Sequence, residues 1–518
     1  MRYFLWRKLC VYGAFFVILT APGALFGEEM GNRVERENGI RLIEAVKIAI
    51  EKQPDTLITE QQVEFSKGQL QKESGAFDPS INVGVSHAAN RTPTLPEGST
   101  VRRDATTGSV SVDKKLRTGV TLTPSLEVGR VGEGGEIAFG FTETPVVNRA
   151  SVNFTVSIPL LRGAGRAAAG ADEMAARVNV EASRLDLLFQ VSSSIRQTAQ
   201  AFWQYRASLE NLEISRLIEK RARQLLDNIQ GLVDGGEQPP SDLNQLVADL
   251  AQKTSRRIGD EQALLVARQN LGIAMGLPYK EIVSLPLPAD PFPEPVLRDI
   301  PVQPSVDVAG RSRKDLLASK ERERIQEILL VAARKNVRPR FDLEFKAGYA
   351  GLDEGGEISN YWGALYSNLS GLNVTGGFAL EYPYGNNARR GDVYQRLSEY
   401  RRVAIQTADL ERKILSNVVV AIQALERSVL ALREARESVA YYKKAVEGER
   451  LKLLLGMTTV VDTLTLEESL NQALLVEVGA ERNYADSVVN LRFEMGILVS
   501  DHGELNVISE EQLTTIPQ

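Results

Sequence analysis

Thiols and imidazoles are nearly absent from this chain. Cys10 is the only cysteine, and His87 and His502 are the only histidines, in 518 residues. Cys10 falls within a leader-like stretch, so a processed chain would carry no thiol, which excludes disulfides and thiolate metal sites. No H-E-x-x-H, G-x-S-x-G or P-loop pattern occurs, so catalysis, a cofactor and a bound metal are all unexpected. After the leader there is no run of about 18 apolar residues, the length that a transmembrane helix requires. Any membrane crossing would therefore be a closed β-barrel, the one other fold that satisfies its backbone in lipid. An excess of cations is lacking too. Lys and Arg number 61 against 67 Asp and Glu, a net charge of −6. Without Arg2, Arg7 and Lys8 it falls to about −9, which argues against a nucleic-acid partner.

What is present begins with residues 1–27, which read as a signal peptide. Arg2, Arg7 and Lys8 precede an apolar core, Cys10 to Leu19, and small residues follow at Ala21, Gly23, Ala24 and Gly27. The remainder is dominated by a duplication. Residues 236–276 align without a gap on residues 456–496, an offset of 220, with eleven identities that include Gly236/Gly456, Asp242/Asp462, Gly259/Gly479 and Gly276/Gly496. Upstream, Asp55, Leu57 and Pro79 match Asp315, Leu317 and Pro339 at an offset of 260. Two such long copies are too few for a solenoid and point to one subunit with internal pseudo-twofold symmetry.

Each copy is predicted to run helix, strands, helix. Residues 40–76 show helical spacing at Ile40, Ile43, Val46, Ala49 and Ile50, with Pro54 interrupting. Apolar and polar residues then alternate at 81–86, 152–158, 341–349 and 372–382, a pattern shared by lipid-facing barrel strands and ordinary half-buried sheets. In the barrel reading Phe154, Val156, Phe345 and Phe378 face lipid. The fall in offset from 260 to 220 places 40 extra residues in the first copy. They are predicted to form a hairpin within 109–131, turned near Thr118-Gly119, whose place in or out of the barrel is left open. Four strands cannot close a barrel, so copies would share one, and three copies would supply twelve strands.

The helices from about 167 to 232 and 389 to 455 contain no proline and would each reach about 100 Å at 1.5 Å per residue. The return helices, 241–275 and 461–495, are about half that, so short helices placed end to end would match one long one. The eight prolines within 277–312 predict an extended connector with little helix. The expected divisions are thus a first repeat at 28–276, the connector at 277–312, a second repeat at 313–496 and a polar tail at 497–518.

Three motifs remain. Gly163-Ala164-Gly165-Arg166-Ala167-Ala168 has the spacing of a dinucleotide fingerprint. That motif needs a second parallel strand within about 30 residues, and a long helix follows instead. The tips between paired helices share Gly-x5-Asp: Gly236 with Asp242 and Gly456 with Asp462. Thr459-x-x-Asp462 is also a capping-box pattern. These residues are either helix caps or, in an oligomer, rings of charge at a channel mouth.

Taken together the chain resembles the TolC-type outer-membrane efflux proteins over nearly all its length after the leader. Residues 40–46 through Pro54 look like that family's opening helix. Phe77-Asp78-Pro79 and Val337-Arg338-Pro339 look like its helix-to-strand junctions, and residues 158–163 like its strand-to-helix junction. Gly456-x-x-Thr459-x-x-Asp462-x-Leu464 is similar to its periplasmic tip. Departures are the missing Ser/Thr in the first tip, Lys314 in place of a proline, the uncharged Met457-Thr458, and the 40-residue excess. The resemblance implies an α+β membrane protein: a homotrimeric outer-membrane β-barrel in lipid, continued by a long periplasmic α-helical barrel. It also implies an exit duct for efflux or type I secretion, served by a periplasmic adaptor and an inner-membrane transporter. Two other functions compete: a structural coiled-coil envelope protein without a channel, and a periplasmic enzyme built on the G-x-G turn.

Overall fold

The computed structural model describes residues 39–94, 99–137, 140–143, 145–235, 241–455, 457–499 and 509–517. The leader, Gly236 and Gly456 lie outside them. In the first repeat, α1 (Leu42–Lys52) and α2 (Pro54–Ser74) precede β1 (Ser80–Thr94), β2 (Ser99–Lys115), β3 (Thr121–Ile137), a short β4 (Gly140–Glu143) and β5 (Val147–Pro159). Then come α3 (Arg166–Ala169), the long α4 (Ala171–Asp234) and its return α5 (Ser241–Ala274). In the connector lie α6 (Tyr279–Val283) and α7 (Val302–Ser312), and the second repeat then holds α8 (Lys314–Asn336), β6 (Arg340–Glu354), α9 (Ile358–Gly363) and β7 (Asn373–Glu381). It ends with the long α10 (Asn387–Leu454) and α11 (Val460–Glu494), and the tail carries α12 (Glu510–Thr514).

The long helices have 64 and 68 residues, about 96 and 102 Å at 1.5 Å per residue. Beside α4 stand α2 and α5, end to end; beside α10 stand α8 and α11. The joints explain two of the repeated glycines. Gly276 and Gly496 take left-handed φ of 70° and 72°. The next N–H closes each helix onto a carbonyl five residues back, Leu277 to Gly272 at 2.9 Å and Ile497 to Arg492 at 3.1 Å, the Schellman pattern that glycine permits. Each glycine abuts the start of the partner helix: Gly276 meets Lys52 and Gln53, and Gly496 meets Ser312 and Arg313.

The two joints are held differently. Gln53 accepts a hydrogen bond from the Thr56 N–H at 2.8 Å and caps α2, with Pro54 at its first position. Arg313, the residue equivalent to Gln53, is buried. Its guanidinium reaches Asp315 at 2.9 Å and Glu494 at 2.8 Å and lies over the Phe493 ring at 4.8 Å. Such a buried cation is tolerated because it is paired and stacked.

Two expectations are corrected. Residues 277–312 hold more helix than the little expected of an extended connector, because α6 and α7 lie within them. Pro301 caps α7 and Pro304 is its third residue, positions where the missing N–H breaks no helical bond. The strand number is also larger than four. The extra hairpin joins the sheet, and the order is β1-β2-β3-β5-β6-β7 with β4 paired to the end of β3. The predicted turn is present: Gly119 has φ 95° and donates its N–H to Leu116 at 2.8 Å.

The largest core lies where the short helices meet. Phe202, Trp203 and Phe292 pack there with centroid separations of 5.2 and 5.6 Å, among Leu42, Val46, Leu271, Met275 and Val489. Burial of each large side chain contributes about 1.5–3 kcal/mol. The connector straps this region through Ile40, which bonds to Leu287 and Ala289 at 3.0 Å. The polar tail contributes too: Leu513 and Ile516 are buried. One window of α10 is apolar enough, at a mean hydropathy of 1.4, to pass for a membrane span. Ile414, Val418, Ile422 and Leu425 of that helix pack instead into a second core against Leu316, Tyr484 and Leu491.

Candidate functional site

Two regions carry the residues singled out in the sequence: the helical tips and the two faces of the sheet. At the tips, Ile229 of α4, Leu246 of α5 and Val460 of α11 form a small buried cluster, so the two helical hairpins lie side by side. Asp242 is the second residue of α5. Thr459 is the N-cap of α11 and accepts a hydrogen bond from the Asp462 N–H at 3.2 Å. The Thr459 hydroxyl donates in return to the Asp462 carboxylate at 2.6 Å. The N-cap half of the capping-box pattern is thus present, with the carboxylate bonded to the Thr459 hydroxyl. Bonds from the Thr459 hydroxyl and backbone hold the Asp462 carboxyl below its ordinary range, and the group is fully exposed. It is thus a solvated anion at the positive end of a helix. Glu449 stands beside it, with its own pKa lowered by bonds from Thr458 and Lys452. Sequence reasoning missed Glu449, because it sits on the preceding helix, α10, and only the turn at the tip brings it back beside Asp462.

The sheet has two unlike faces. Val83, Val110, Leu126, Val152 and Tyr349 are successive cross-strand partners on β1, β2, β3, β5 and β6. Partners share a face, so this is one apolar row across five strands. The flanking rows add Val156 with Phe345, Leu343 with Phe378, and Ala347 with Val374. Phe154, Val156, Phe345 and Phe378 therefore stand on one face. Among the described residues that face is uncovered nearer the helical end, where Ile81, Val83 and Phe378 are each 70% exposed; at the remote end α9 lies across β3, β5 and β6, and Asn148 and Ala150 are buried. Phe341 and Phe378 stack there at 5.5 Å.

The other face is polar. Asn82, Asp113 and Thr123 are linked across β1, β2 and β3 at 2.7 and 2.8 Å. Thr155 pairs with Lys346, and Lys346 with Thr375. Toward the end remote from the long helices, Arg103, Thr107, Glu127 and Arg149 line a cleft of about 550 Å³ on this face. The Gly163-x-Gly165 motif is a bend: φ is 76° and 83°, and a helix follows at once. Its geometry turns the chain from β5 into α4. Among the described residues no cluster of His, Cys, Asp and Glu could hold a metal.

No protein-family model and no curated protein matches the sequence. Solved structures do match. The outer membrane channel CmeC of Campylobacter jejuni is 16% identical, with 96% of each chain covered and a TM-score of 0.66. The outer membrane protein VceC of Vibrio cholerae is 13% identical, covering 88% of this chain and 96% of its own, with a TM-score of 0.62. The open state of the MtrE outer membrane channel of Neisseria gonorrhoeae is 16% identical, covering 88% and 89%, with a TM-score of 0.59. With paired long helices, short helices joined end to end and an antiparallel sheet at one end, this chain has the fold of the TolC-type outer-membrane channels.

Proposed function

We propose that this protein is an outer-membrane channel, a passive exit duct for substrates handed on by an inner-membrane transporter and a periplasmic adaptor. The observation that carries the proposal is the sheet: across six antiparallel strands an apolar belt, uncovered nearer the helical end, backs a polar face, and among the described residues both ends of the sheet are open edges. An exposed apolar face of this extent would aggregate in water and is satisfied by lipid. Open edges in lipid are costly, so copies close the ring, and a homotrimer is the proposed assembly. The helices then form a tunnel about 100 Å long into the periplasm. A solid coiled-coil rod explains the helices but gives the apolar belt no role.

Within this reading Asp242 and Asp462, with their tip neighbours Gly236, Gly456 and Thr459, surround the periplasmic mouth. Capping and gating are compatible, since the Asp462 carboxylate stays charged while it bonds Thr459. The proposal is tested by fractionation. The protein is expected in the outer membrane, resistant to salt extraction and released as a trimer by detergent. Recovery in the soluble periplasm without detergent would remove the barrel.

A further inference from the structure

We infer that the extra hairpin, β2 and β3, is part of the barrel wall, so that each copy contributes six strands and three copies close an eighteen-stranded barrel. This rests on the outer-membrane channel reading and adds to it the width of the opening.

Three observations carry it. The first is pairing. β1 pairs with β2 along its whole length, Ser80 to Thr94, and β3 pairs with β5 from Thr121–Ser157 to Val131–Val147. β1 has no pairing with β5. Taking the hairpin out of the wall would strip both ladders at once.

The second is the faces. The hairpin continues the apolar rows through Val110, Val112, Leu122, Leu126 and Val128, and the polar rows through Ser109, Ser111, Ser125 and Glu127. A flap lying in water would have no need of an apolar side in register with its neighbours.

The third is anchoring. The turn between β2 and β3 is fastened to the helical end of the sheet. Arg117 grips Glu173 of α4 through two bonds of 2.7 Å, and its guanidinium lies over Phe77 at 5.1 Å. The Gly165 N–H donates to the Thr118 carbonyl at 2.9 Å. Gly119 approaches so closely that a Cβ there would lie 2.3 Å from the Gly163 carbonyl oxygen. The hairpin therefore rises from the same rim as the other strands.

Closure is consistent in direction. β1 leaves the helical end after Phe77 and β7 returns to it before α10, so β7 of one copy meets β1 of the next antiparallel. Barrel diameter grows about linearly with strand number. Eighteen strands in place of twelve would widen the opening about 1.5-fold, or about 2-fold in area. The hairpin thus admits bulkier cargo at the outer membrane than four strands per copy would.

The test is thiol mapping in membranes, in a Cys10→Ala background. Ser109→Cys and Ser125→Cys probe the polar face of the hairpin, and Val110→Cys and Leu126→Cys its apolar face. Thr155→Cys and Phe154→Cys on β5 serve as references. Each variant is first checked for trimer formation. With a membrane-impermeant maleimide, 109, 125 and 155 are expected to react at least 10-fold faster than 110, 126 and 154. Equal reaction at all four hairpin positions, with alternation kept on β5, would overturn the inference and leave the barrel intact. Loss of alternation on β5 as well would overturn the barrel reading and the inference with it.

Discussion

Gly276 lies against the backbone of Lys52. A Cβ at Gly276 would stand 2.4 Å from the Lys52 carbonyl oxygen, and its φ of 70° is strained for any L side chain. One residue thus ends α5 and lets α2 begin directly above it. Gly496 has the same relation to Arg313, with the nearest backbone atom at 2.8 Å.

Gly276→Ala is therefore expected to destabilise the chain by about 2 kcal/mol or more, since the left-handed backbone alone costs about 1–2 kcal/mol before the clash is counted. Gly259→Ala is the control. That glycine sits inside α5, and a methyl group added there would meet nothing within 4 Å. The change is expected to stabilise the helix by about 0.5–1 kcal/mol. Chemical denaturation of both variants checks the contrast. Equal effects would show that the joint is loose enough to accept a side chain.

Phe378→Arg and Phe154→Arg are expected to block assembly, because a cation at the midplane of a barrel's lipid face costs about 2–4 kcal/mol. Thr155→Arg, on the opposite face beside Lys346, is expected to assemble and to alter conductance. Heat-resistant trimer on gels reads the first effect. Equal assembly of all three variants would mean the faces are assigned the wrong way round.

Much of this fold was legible in the sequence. The offset identities located both helical hairpins, and the alternation at 81–86, 152–158, 341–349 and 372–382 located four strands. The 40-residue change in offset exposed the hairpin and Gly119 its turn, because local chemistry fixes turns. Its place in the sheet was not legible. Val83, Val110 and Leu126 line up through pairings between distant residues, and alternation is blind to partners. Helix α7 was hidden because Pro301 and Pro304 read as breakers, although both fall where a first turn tolerates them. At the tips, Thr459 and Asp462 announced their cap. A charge ring is a property of several copies, and one chain's spacing encodes only the cap.

Asp462→Asn separates those two roles. Asparagine keeps an acceptor for Thr459 and loses only the charge, so the thermal midpoint is expected to fall only slightly while block by divalent or trivalent cations from the periplasmic side weakens. Thr459→Ala removes the cap and is expected to cost about 0.5–2 kcal/mol. The Asp462 pKa is depressed, so its charge persists as pH falls through the ordinary carboxylate range and is lost only below it. Cation block should follow the same course. Wild-type block in the double Asp242→Asn/Asp462→Asn variant would leave capping as the only role.

Asp486 on α11 gives a pH signature. Burial pushes its carboxyl up to about 6, against the opposing pull of Arg482. A raised carboxylate pKa means the stability is full below the unfolded value, near 3.9, and is lost as pH rises through about 6. Asp486→Asn is thus expected to raise stability at pH 7.5 by on the order of 1–2 kcal/mol and to leave it unchanged at about pH 4. Thermal melts at the two values check this. A gain of the same size at both would trace the effect to packing, not to charge.

The channel itself is tested most directly by single-channel recording of the purified trimer in a planar lipid bilayer. The protein is expected to give discrete conductance steps that persist without any energy source, and that Thr155→Arg alters. A trimer that inserts into the bilayer and never conducts, under either polarity and without multivalent cations present, would contradict the account.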